Sequence, residues 1–171
     1  MRSRGAAGGP PSVGHNKPTL AVETKWAGFT DVTAGALAWD AFRLEAFAKR
    51  TGAPGLLIFG GTLVRLDALF SSSAFKRVGK GATDGARLFP LPTGSRSFVL
   101  HRRELSAPAA RYVADKIAKS PSDAVAHSVY CEAPQFSRGV GPKSITFGVY
   151  VWEIGVPRPL GRHGREGLAV S

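Results

Sequence analysis

Cysteine is nearly absent: Cys131 is the only one in 171 residues. An internal disulfide is therefore excluded, and so is a zinc site built on several thiolates. A buried structural thiol is the expected role. Acidic residues are also scarce, 12 Asp and Glu against 23 Lys and Arg, for a formal charge of +11. That surplus points to a polyanionic partner, most simply nucleic acid, with DNA placed ahead of RNA. No apolar run approaches the roughly 20 residues of a membrane span. The N-terminus carries Arg2 and Arg4 without an apolar segment behind them, so it does not read as a secretory signal. Together with the lone cysteine, this predicts a cytoplasmic protein. No internal repeat is visible.

What is present divides into three stretches. Residues 1–17 are rich in Gly, Pro and small side chains, without periodicity and without a single Asp or Glu; they are expected to be a flexible leader. Residues 18–157 form one domain, and 158–171 a disordered basic tail. The hydrophobic fraction of 43% is enough for a core of ordinary size.

The domain opens on Thr19-Leu20-Ala21-Val22-Glu23-Thr24-Lys25-Trp26, read as a strand entered through Pro18. Alternation puts Glu23 and Lys25 on one face and Leu20, Val22 and Trp26 on the other. A carboxylate and an ammonium side by side can hold a divalent metal and steady a charged transition state. They can equally be a surface ion pair worth little.

After Thr33 as N-cap, a helix is predicted over Ala34 to Arg50, with Leu37, Ala41, Leu44 and Ala48 as its apolar stripe and Asp40, Arg43 and Arg50 on another face. Gly52 and Pro54 stop it. Leu56 to Phe59 has no polar alternation and reads as a strand buried on both faces. Strand, helix, strand in this order implies a parallel pair with a right-handed crossover. Gly60-Gly61 is expected to end the second strand as a tight turn, before a helix capped by Thr62 with Leu63, Leu66, Leu69 and Phe70 inward.

Ser71 to Gly94 reads as loop, carrying Lys76, Arg77 and Lys80. A short strand over Ser97 to His101 precedes Arg102 and Arg103. Ala107 to Lys119 is a helix with Pro108 in its first turn. His127 to Cys131 and Ile145 to Ile154 read as strands that form a hairpin around a Gly-rich connection, Gln135 to Lys143.

The block Leu20 to Gly61 resembles the PD-(D/E)XK nuclease superfamily, the restriction-endonuclease-like fold. Glu23-Thr24-Lys25 matches its E-X-K motif after apolar Leu20, Ala21 and Val22; a helix with Asp40 and Arg43 follows, then the apolar strand Leu56 to Phe59. The resemblance implies an α/β fold with a mixed sheet flanked by helices. It also implies Mg2+-dependent cleavage of nucleic-acid phosphodiesters. Glu23 would ligate the metal with the Thr24 carbonyl beside it, and Lys25 would place the attacking water or steady charge at phosphorus.

The pattern further calls for an acidic residue one strand earlier, where residues 1–17 offer none. The expectation is therefore an N-terminally incomplete nuclease-like domain with impaired activity. The competing readings are a non-catalytic nucleic-acid-binding module on the same scaffold, and a structural partner protein whose charge serves solubility. Lys25 should lie in reach of Glu23 with no second carboxylate; Asp31 or His15 are lesser candidates to supply a ligand. Arg43 should pair with Asp40 on its own helix and face the cleft. Arg43, Lys76, Arg77, Lys80, Arg102 and Arg103 are the candidate nucleic-acid contacts.

Overall fold

Alternation in the first strand is the origin of the architecture. The computed structural model describes residues 18–28, 32–79, 86–89, 97–119, 125–132 and 134–155. Asp31, His15, Lys80, the leader and the tail lie outside them. β1 (Ala21–Trp26) alternates between half-buried and exposed side chains. α1 (Ala34–Thr51) packs on its Glu23 and Lys25 face. β2 (Gly55–Thr62) then pairs with β1 in parallel. α2 (Leu63–Ser71), β3 (Phe98–His101), α3 (Ala107–Lys119), β4 (Ser128–Cys131), β5 (Gln135–Val140) and β6 (Thr146–Ile154) follow. The sheet is six-stranded and mixed, in the order β1-β2-β6-β4-β3, with β5 also on β6.

The helix ends form as their capping residues dictate. Thr33 Oγ1 accepts the Ala36 amide at 3.1 Å. Gly52 closes α1 at φ 75°, its amide donating to Ala48 O at 2.8 Å, a left-handed position that a Cβ disfavours. Thr62 caps α2 by accepting the Arg65 amide.

Four expectations are corrected. β2 runs through Gly60-Gly61 instead of ending there. A Cβ on Gly60 would come within 2.6 Å of the Trp26 ring, and one on Gly61 within 2.7 Å of Ala27. The glycines thus serve close approach of β1, not a turn. β2 is fully buried on the Leu57 and Phe59 face but only half-buried at Leu56 and Ile58, because described elements cover one face of the sheet. β4 and β6 do not make an extended hairpin. They meet only at Cys131↔Ile154, and the connection between them is itself β5, paired with β6 from Gln135↔Val151 to Val140↔Thr146. Finally, α1 has no polar side at Asp40, which is buried and ion-paired with Lys25 of β1.

The core lies on the helical side of the sheet. Phe70 from α2 is its hub, with ring centroids 5.8 Å from Phe59, 5.6 Å from Phe75, 5.2 Å from Tyr150 and 6.5 Å from Trp152. Leu88 and Phe89, within the stretch expected to be loop, are fully buried there; the Leu88 amide donates to Phe75 O at 2.6 Å. Cys131 is buried, as its singularity suggested. Among the described residues, no helix is long and apolar enough to cross a membrane.

Candidate functional site

Side chains two apart on a strand stand roughly 7 Å from each other and perpendicular to the sheet. A charge descending from the helix above is therefore nearer to each than they are to one another. α1 supplies two such charges, Asp40 and Arg43, three residues and almost one turn apart. The pairing is crosswise. Lys25 Nζ lies 3.0 Å from Asp40 Oδ2, and Arg43 Nη1 lies 3.4 Å from Glu23 Oε1. The expected Glu23–Lys25 and Asp40–Arg43 pairs are thus replaced by two strand-to-helix pairs. A second carboxylate is present after all: it is Asp40, from the helix instead of an earlier strand.

The four groups are unequally wet. Asp40 is 3% exposed, whereas the Lys25, Glu23 and Arg43 side chains are 32%, 29% and 46% exposed. Burial pushes the Asp40 carboxyl above its ordinary 3.8; Lys25 and then Arg43 oppose the rise, and Glu23 adds to it. Lys25 is the ion-pair partner of Oδ2, which has no further hydrogen-bond partner among the described residues. A cleft of about 560 Å3 opens beside Lys25 at the sheet edge, lined by Thr24, Trp26, Ala36, Ile58 and Tyr112.

These residues fit a Mg2+ ion poorly. The ion takes carboxylate oxygens and keeps several waters. Here one carboxylate is buried against an ammonium and the other faces a guanidinium. Among the described residues, no group of three or more His, Cys, Asp or Glu side chains converges.

The predicted basic contacts separate into two kinds. Arg77 pairs with Glu104 at 3.2 Å, donates to the Val99 carbonyl and lies over the Phe98 ring at 5.1 Å. Arg102 donates to the carbonyls of Ala126, at 2.7 Å, and Val125, and lies 5.8 Å above the Phe42 ring. Both guanidiniums are engaged by groups of the fold, with the buried Arg77 Nε left without a hydrogen-bond partner among the described residues. Lys76 and Arg103 are exposed instead. Arg87, not among the predicted contacts, stands directly opposite Lys76 in an antiparallel bridge and is also exposed. The same segment joins Arg103's neighbour, since the Val78 amide donates to Glu104 O at 2.9 Å. The density of basic residues in this stretch was the only sequence signal for Arg87.

A further buried carboxylate went unread in the sequence. Glu45, 2% exposed, accepts the Tyr130 amide at 3.1 Å and pairs with Lys49 at 3.2 Å. It fastens α1 to β4. Glutamate at an apolar helix position has no distinctive spacing, so only the tertiary contact identifies it. Burial, with Glu45 adding to it, pushes the neighbouring Cys131 thiol well above its ordinary range, which keeps it inert.

Comparison of the chain with protein-family models, with curated proteins and with solved structures finds no match.

Proposed function

We propose that this protein binds nucleic acid on a restriction-endonuclease-like scaffold of the PD-(D/E)XK type and is impaired in phosphodiester cleavage. The observation that carries the binding half is the pairing of Lys76 opposite Arg87, both exposed. Like charges directly opposite across strands destabilise each other, and no described carboxylate is ion-paired with either. A phosphate between them relieves that repulsion. Arg103 extends the same surface, and the net charge of +11 supplies the long-range attraction.

The scaffold half is supported by the order of Glu23-Thr24-Lys25 on a strand, a helix, then a parallel strand. The impairment is supported by the crosswise ion pairs. Lys25, held by Asp40, is not free to place a water, and Glu23, held by Arg43, is a weakened metal ligand.

The test is a duplex-DNA binding titration at several salt concentrations, alongside a Mg2+-dependent cleavage assay. Binding should weaken by roughly 0.9 log units per log unit of salt for each phosphate contact, with no metal-dependent cleavage. Failure to bind at low salt would refute the binding half. Cleavage abolished by Glu23→Ala would refute the impairment and make Asp31 the first residue to examine as a missing ligand.

A further inference from the structure

β1 is the outermost strand of the sheet, and its second edge is unpaired among the described residues. The hydrogen bonds fix which groups face that edge. The Ala21 amide donates to Pro54 O at 3.1 Å and the Ala27 amide to Gly60 O at 2.6 Å. In a parallel pair, residues bonded to the neighbour alternate with residues turned away. Glu23 and Lys25 therefore turn their backbone groups toward β2, and Val22, Thr24 and Trp26 turn theirs outward. Val22 and Trp26 also leave apolar side chains 48% and 40% exposed.

The geometry points to a second copy of this chain as the occupant of that edge, paired antiparallel through β1 about a two-fold axis at Thr24. The sequence Ala21-Val22-Glu23-Thr24-Lys25-Trp26-Ala27 is self-complementary in that register. Thr24 faces the partner's Thr24. Val22 faces the partner's Trp26, and Trp26 the partner's Val22. These are the outward-turned residues, so each is a pair that exchanges both backbone hydrogen bonds. Between them, Glu23 faces the partner's Lys25 and Lys25 the partner's Glu23, on the face where each already meets a helix charge.

Neighbouring registers fail on charge. A two-fold axis at Glu23 sets glutamate against glutamate, and one at Lys25 sets lysine against lysine, each destabilising. Such an interface is isologous and closes on itself, so it ends at a dimer. It also covers an apolar edge that would otherwise invite uncontrolled pairing. The pairing engages the Thr24 carbonyl, the group that the nuclease-like pattern would offer to a metal, but it stands or falls independently of nucleic-acid binding.

Sedimentation of the full chain tests it, with twice the mass of the chain expected at micromolar concentration. Thr24→Pro removes the central outward amide at an edge position where β2 loses no bond; it should return the mass to that of a monomer with an unchanged far-ultraviolet spectrum. Thr24→Cys decides the matter whether or not the proline variant folds. Mild oxidation should link two chains covalently through the axis, because opposed residues in such a pair lie about 5.5 Å apart, within disulfide range, while buried Cys131 cannot react. A monomeric wild type overturns the inference. So does a dimer that Thr24→Cys does not cross-link.

Discussion

Asp40 shows what one residue contributes when a helix places it over a strand. Its carboxyl is held above 3.8 chiefly by burial, so the folded chain binds that proton more tightly than the unfolded chain. Below 3.8 both states are protonated and the group is silent. Between 3.8 and the raised folded-state value the unfolded chain ionises while the folded chain keeps its proton, so the folded state loses stability relative to the unfolded state as pH rises. Asp40→Asn does not titrate, and the Lys25 it leaves behind is 32% exposed and can turn to water. The variant should therefore gain on wild type as pH climbs from 3.8, and the gain should level off above the folded-state value. Urea unfolding midpoints across that range measure it; parallel curves for the two proteins would sink the argument.

At the scale of the element, α1 is defined by its two ends. Thr33 satisfies an amide that the helix cannot, and Thr33→Ala should cost about 1 kcal/mol. Gly52 sits at φ 75° with open space where a Cβ would go. Gly52→Ala should therefore cost about 1–2 kcal/mol for backbone reasons alone, with no steric penalty added. The two sites lie at opposite ends of an 18-residue helix, so their costs should add in the double variant. Denaturant unfolding checks both the single values and their sum; a double variant no worse than either single one would mean that the helix ends are coupled. Both caps were legible from Ser/Thr-type and Gly positions because capping is a local hydrogen-bond problem, solved within four residues.

For the whole molecule, the division of the arginines and lysines decides what the positive charge does. Arg102 completes the carbonyls of Val125 and Ala126, whereas Lys76 and Arg103 are exposed. On the proposed nucleic-acid-binding function, Lys76→Ala or Arg103→Ala should each lower the salt slope of DNA binding by about 0.9 with the fold's stability unchanged. Arg102→Ala should do the reverse. It should cost about 1–3 kcal/mol of stability through the orphaned carbonyls and leave the slope of the folded protein as it was. Equal loss of slope in all three variants would refute the division.

The sequence by itself determined those features that depend on a few neighbouring residues. The bounds of α1 and α3, the caps at Thr33, Gly52 and Thr62, and the burial of Cys131 are of this kind. So is the parallel strand pair around α1, because the apolar periodicities switch between helix and strand at those points. Only the tertiary structure decided the partners. Glu23 and Lys25 share a face by alternation, but which charge each meets depends on where Asp40 and Arg43 descend from α1. Arg77 and Arg102 look like surface charges in the sequence because nothing local marks the carbonyls of Val99 and Val125 waiting 22 and 23 residues away. β5 was hidden for the same reason: its Gly-rich alternation is weak, and it becomes a strand only because β6 offers it an edge and Tyr150 offers Phe136 a ring at 4.7 Å.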